Sequence, residues 1–179
     1  NAARYLFYAP PDAKPLLAAL AGADYACLAQ SDGDLGARMA HVFAELSNLG
    51  HRNIVLVGSD LPALPLAILE EAFASLASTA HRVVLGPSRD GGYYLVGMNR
   101  ATPEIFANMT WSHERVLSET LARLDRLSLS YSMLPTWFDL DVAADLQRLT
   151  EVAEPATRAA LSRTLNCLAE FGFRAASKL

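Results

Sequence analysis

The stretch Asn53-Ile54-Val55-Leu56-Val57-Gly58-Ser59-Asp60-Leu61-Pro62 decides how this chain is read. Ile54 to Val57 offer no polar residue to either face, the pattern of a strand covered on both sides. The run ends at Gly58, and Pro62 stiffens the exit. Asp60 therefore follows a strand at its carboxyl end, where open α/β sheets hold their ligands. The expectation is a central parallel strand with a carboxylate in its exit loop. Asp60, beside Ser59, can hold a divalent cation that bridges nucleotide phosphates, because hard cations take oxygen ligands. An Asx turn ahead of Pro62 accounts for the same aspartate, and this loop alone does not choose.

Outward from this stretch, short apolar runs alternate with helical patterns. Strands are expected at 3–8, 25–29, 82–85, 93–98 and 129–134. Helices are expected at 12–21, at 35–49 with Gly50 as its stop, and beyond Pro65, where Ile68, Leu69, Ala72, Phe73 and Leu76 share a face. A further helix, capped by Ser112, carries Val116, Leu117, Leu121 and Leu124, and two more cover 142–152 and 155–171. This alternation predicts a three-layer α/β/α domain with a mostly parallel sheet and residues 53–57 near its centre. Tyr93–Met98 follows a tight glycine loop instead of a helix and is the expected antiparallel member. Residues 1–152 read as the domain, and 153–179 as a helical extension with Leu161, Leu165, Leu168 and Phe171 on one stripe.

Composition narrows the functional classes. The chain has 179 residues, 52% hydrophobic and 19% charged, which fits one domain with a sizeable core and excludes disorder. No apolar run reaches the ~18 residues of a spanning helix, so no membrane role is expected. A net charge of −4 argues against nucleic acid held by a basic surface. Cys27 and Cys167 lie in apolar segments without paired spacing and read as buried free thiols of a reducing, cytoplasmic compartment. The four histidines lack zinc-ligand spacing. Residues 1–9 do not read as a signal peptide. Ser177-Lys178-Leu179 matches a peroxisomal address that nothing else in the sequence supports.

Three more loops carry candidate chemistry. Gly86-Pro87-Ser88-Arg89-Asp90-Gly91-Gly92-Tyr93-Tyr94 has adjacent glycines that permit close backbone approach to a ligand. A plain hairpin turn explains them as well. Asp90 stands at the second glycine of a GxSxG elbow, which speaks against a serine hydrolase. In Phe138-Asp139-Leu140-Asp141-Val142, Asp141 can cap the following helix, whereas capping does not account for Asp139. Gly33-Asp34-Leu35-Gly36-Ala37-Arg38-Met39 leads into a helix whose amides can meet an anion, with Arg38 one turn in. A capped helix with a solvated Arg38 is the plainer reading of that segment.

Taken in order, these segments resemble the nucleotide-diphospho-sugar transferase superfamily with the glycosyltransferase-A fold. Within it they look like the bacterial glycosyltransferase-like DUF2064 branch. Gly33–Met39 is similar to its GDLGxRM pattern, Gly58–Pro62 to GTDCP, and Gly86–Gly97 to a GPxxDGGYYLIG-like stretch. Trp111-Ser112 matches a WS dipeptide, and Asp139–Leu146 a DVDTxEDL-like motif. The chain departs from the pattern at Leu61, which replaces a cysteine, and at Val142, Ala143 and Ala144.

The resemblance implies a metal-dependent transferase with Mg²⁺ or Mn²⁺ on Asp60, Asp139 and Asp141, and catalytic roles for Asp60 and Asp90. It implies contacts to a nucleotide sugar or nucleoside triphosphate from Gly33, Asp34, Gly36, Arg38, Ser59, Arg89, Gly91, Gly92, Trp111 and Ser112. Glycosyl transfer, nucleotidyl transfer of the guanylyltransferase kind, and a non-catalytic nucleotide-binding module all remain open here. The resemblance further implies a first strand and basic loop ahead of residue 3, whereas the chain's two lysines are Lys14 and Lys178. A chain lacking that unit is expected to be inactive alone, its uncovered face covered either by a homodimer or by a cleaved N-terminal piece that stays bound.

Overall fold

Asp34 opens a 14-residue helix, α2 (Leu35–Asn48), because its carboxylate accepts the Ala37 amide at 2.8 Å. Met39, Val42, Phe43 and Leu46 recur at helical spacing and are buried together. The helix belongs to the first of two compact units into which the computed structural model divides. The structure describes residues 2–77, 82–151 and 155–172.

The first unit comprises Asn1–Arg52 and Arg100–Trp111. In it β1 (Arg4–Tyr8) and β2 (Tyr25–Ala29) pair in parallel, joined by α1 (Lys14–Ala21) as the crossover that parallel pairing needs. Phe43 of α2 stacks on Phe106, ring centres 6.0 Å apart, and Phe106 lies 6.3 Å from Trp111.

The second unit holds Asn53–Asn99 and Ser112–Leu179. Its strands are β3 (Ile54–Val57), β4 (Arg82–Pro87), β5 (Tyr93–Met98) and β6 (Ser130–Met133), in the order β3-β5-β4-β6. Helix α3 (Leu66–Leu76) lays Ile68, Ala72 and Leu76 against Val84, Leu95 and Leu134, forming one core cluster of this unit. The unit also contains α4 (Val116–Arg126), α5 (Ala143–Thr150), α6 (Pro155–Ala160) and α7 (Ser162–Glu170).

Several expectations need correction. The four-stranded sheet is mixed: β5 is antiparallel to both β3 and β4, and only β4 and β6 run parallel. Tyr93–Met98 is antiparallel as its glycine loop implied. Ile54–Val57, however, stands at the end of this sheet order, not at its centre. The tight turn after β4 returns the chain at once, so β5 fills the place beside β4 and its far edge takes β3. An apolar run reports that its faces are covered; it carries no information about which edge is paired.

Ser112 does not cap α4. The cap position is Arg115, and Ser112 lies upstream with φ +63°, a left-handed backbone that side-chain-bearing residues seldom adopt. The helix expected at 155–171 breaks at Leu161 into α6 and α7. Cys27 is half-buried and Cys167 exposed, both as free thiols. The boundary expected at 152/153 and the Ser177–Leu179 tripeptide lie outside the described residues. Among the described residues no helix is long and apolar enough to cross a membrane.

Candidate acidic site

Parallel pairing of β4 and β6 brings their carboxyl-end loops side by side. The pairing continues past both strands: the Trp137 amide donates to the Pro87 carbonyl at 3.0 Å, and Ser88 bridges to Trp137. Asp90 follows one strand and Asp139 the other. On the far side, the Leu140 amide donates to the Asp60 carbonyl at 3.1 Å, which draws in the exit loop of β3. Three loops far apart in sequence therefore lie together at one end of the second unit, and the aspartates of two of them meet. Single carboxylate oxygens of Asp90, Asp139 and Asp141 lie within 4.8 Å of one another, close enough to share one cation.

Each loop is built to present its carboxylate. Asp90 Oδ1 accepts the Ser88 hydroxyl and, at 3.0 Å, the Gly92 amide, so its other oxygen remains for the cluster. A side chain at Gly92 would crowd Ser88 Oγ and Asp90 Oδ1, each 3.3 Å from the Cβ position. Gly91, with φ +91°, has no room for a side chain because the Glu114 carbonyl fills that space, and its own carbonyl accepts the Leu117 amide at 2.9 Å. The glycine pair thus docks the start of α4 on the Asp90 turn.

Asp60 folds back over Gly58, where a Cβ would stand 2.5 Å from its Oδ1. An Asx turn is not available to it, since that turn needs an amide N–H two residues on and Pro62 has none.

Capping of α5 also differs from expectation. Its cap residue is Val142, and Asp145, three residues in, reaches back to accept the Asp141 and Val142 amides at 3.1 and 3.0 Å. Arg148 closes the arrangement at 2.6 Å from Asp145. Asp145 is 5% exposed and does the work that the sequence offered to Asp141. Asp139 and Asp141 are thereby left to the acidic cluster.

The electrostatics follow from these partners. Burial raises the Asp139 carboxyl most, its own backbone amide lowers it, and the charges of Asp141, Asp90 and Asp60 raise it again. The net result lies above the ordinary carboxylate range. Burial also pushes Asp90 upward, but the Ser88 hydroxyl and Gly92 amide outweigh it and hold Asp90 below that range. One carboxylate is stabilised as an anion, and its neighbour is burdened by like charges that a cation would relieve.

Residues of the first unit named by the sequence have contacts of their own. Gly33 takes φ +108°, and Arg38 Nε donates to its carbonyl at 3.0 Å while Nη1 reaches Gln30 Oε1 at 3.4 Å. Arg38 therefore braces its own turn. At Gly36 a Cβ would lie 2.8 Å from the Trp111 ring, so this motif glycine and motif tryptophan are packing partners. Ser59 and Arg89 are exposed beside Asp60 and Asp90. Sequence reasoning missed Ser88, which is 7% exposed and orients Asp90; the Ser-x-Asp spacing was its only signal.

The DUF2064 family, described as "Uncharacterized protein conserved in bacteria", matches residues 1–113, and the chain belongs to it. Among solved structures it is similar to a "putative nucleotide-diphospho-sugar transferase" from Desulfovibrio desulfuricans G20. That likeness has a TM-score of 0.78 and 29% identity, covering 93% of this chain and 74% of the other. No match is found among curated proteins.

Proposed function

We propose that this chain carries the cation site of a metal-dependent transferase that acts on a nucleotide-activated substrate, with glycosyl transfer from a nucleotide-diphospho-sugar as the reaction. The observation that carries the reading is the meeting of Asp90, Asp139 and Asp141 oxygens within 4.8 Å: strand pairing places the two loops side by side, and neither loop needs three carboxylates for its own fold. The solved relative named for nucleotide-diphospho-sugar transfer supports the substrate class. The donor set is all oxygen, which suits Mg²⁺ or Mn²⁺ over softer metals. Such a cation, when bound, neutralises the diphosphate as charge develops on it.

The residues divide the remaining tasks. Asp90, fixed as an anion by Ser88 and Gly92, anchors the cation from the β4 side. Asp139 and Asp141 approach from the β6 side. Asp60 stands outside the three-oxygen cluster yet close enough to influence Asp139. It is the carboxylate left to accept the proton of an acceptor hydroxyl as that oxygen bonds to the sugar carbon and the diphosphate departs.

Nucleotidyl transfer would use the same cation, with a substrate phosphate attacking the α-phosphorus and pyrophosphate leaving. Titrating Mn²⁺, then nucleotide sugars and nucleoside triphosphates in its presence, tests the proposal. Nucleotide binding that strengthens with Mn²⁺ is expected. Binding that is indifferent to Mn²⁺, or absent, would overturn the metal-dependent reading and leave a non-catalytic module.

A further inference from the structure

The loop carrying Asp139 and Asp141 has apolar partners as well as acidic ones. Phe138 and Leu140 alternate with the two aspartates and pack against the cluster of Ala63, Leu149 and Leu161, and Leu165 of α7 packs against the same cluster. Ala63 lies three residues beyond Asp60 and is 1% exposed; Leu149 is fully buried and Leu161 is 3% exposed. One small apolar cluster therefore joins the exit loop of β3, the loop after β6 and the carboxyl-terminal helices. The hydrogen bond from the Leu140 amide to the Asp60 carbonyl crosses the same junction.

We infer that Leu161 and Leu165 are positioning residues for the acidic site, holding Phe138 and Leu140 in place and so fixing the spacing of Asp139 and Asp141 from Asp60 and Asp90. The inference rests on the cation reading for its consequence in binding, though not for the packing itself. In an alternating segment, an apolar side chain that lifts from its seat tilts the carboxylates on both sides of it. Cation sites are sensitive to such shifts, because each ligand oxygen must sit at a set distance. The carboxyl-terminal helices thus act on the site through Phe138 and Leu140.

The test uses the full chain with Leu161→Ala, Leu165→Ala and, as a volume-conserving control, Leu161→Met. Two readouts are compared: hydrogen exchange of the Leu140 amide and affinity for Mn²⁺ alone. Protection of β4 and β5 amides reports that the sheet remains folded. Both alanine variants should speed Leu140 exchange and weaken Mn²⁺ binding, each about tenfold or more. Leu161→Met should restore both, and the strand amides should not change.

Unchanged Leu140 exchange in a folded Leu165→Ala protein would overturn the inference. So would Mn²⁺ affinity equal to that of the parent despite faster exchange. Faster exchange in a protein whose parent binds no Mn²⁺ would leave the positioning standing and remove the cation reading instead. Should Leu161→Ala unfold, Leu165→Ala, whose side chain is half-buried at the rim, carries the comparison.

Discussion

The Leu140 amide donates to the Asp60 carbonyl at 3.1 Å, and through this bond two acidic loops share one backbone frame. Because Asp60 is tied by its carbonyl, its carboxylate can change without releasing the loop. Asp60→Asn should leave the melting temperature nearly unaltered while weakening Mn²⁺-dependent nucleotide binding. Loss of one charged contact is worth about 1.5–3 kcal/mol, roughly ten- to a hundredfold in affinity. Paired thermal melts and calorimetric titrations measure both quantities. A large stability loss with unchanged binding would show that Asp60 serves the fold.

Asp139 carries the opposite expectation. Its carboxyl is raised by burial and by three like charges, so in its anionic form it opposes folding of the metal-free protein. Asp139→Asn should raise the melting temperature at neutral pH and remove most Mn²⁺ affinity. The gain should fade as pH falls through the Asp139 value and the parent carboxyl takes up its proton. Melts across a pH series, without metal, check the sign.

Asp145 gives a third expectation of opposite slope. The Val142 amide, more than any other partner, lowers its carboxyl, with the Asp141 amide and Arg148 adding to the effect against burial. A depressed folded value contributes stability above the unfolded carboxyl range, lost as pH falls through the folded value. The melting-temperature gap between parent and Asp145→Ala should therefore be constant down to about pH 5 and close below about pH 4. Mn²⁺ affinity in that variant should drop less than in Asp139→Asn.

The two glycines Gly91 and Gly50 share nearly the same left-handed φ, +91° and +90°, but differ in surroundings. Nothing stands within 4 Å of a Cβ at Gly50, whereas at Gly91 the Glu114 carbonyl occupies the space. Gly50→Ala should cost about 1–2 kcal/mol for conformation alone. Gly91→Ala adds overpacking, for a total on the order of 3 kcal/mol or more, and should shift the α4 amides as well. Chemical denaturation of the two variants separates the terms.

Much of this arrangement was legible because local chemistry and global fold agree. Asp34 caps α2, the Asp90-Gly91-Gly92 turn makes an antiparallel return, and apolar spacing marks α3 against the sheet. The acidic loops were legible too, since each follows a strand end. What stayed hidden depends on partners distant in sequence. The end position of β3 follows from where β5 inserts, and apolar residues 54–57 read alike in either place. The Gly36–Trp111 contact joins residues 75 positions apart, so the packing role of this glycine could not be read from its motif.

The alternation of Phe138, Asp139, Leu140 and Asp141 sets what kind of sequence change the site can survive. Replacing Phe138 or Leu140 by another apolar residue preserves which side chains are dry and which are charged. Deleting or inserting one residue between Trp137 and Asp141 exchanges the two sets, driving carboxylates against Leu149 and Leu161 and lifting apolar groups toward Asp90. Across natural relatives, this segment should therefore vary in composition yet keep its length, while exposed turns elsewhere are free to change theirs.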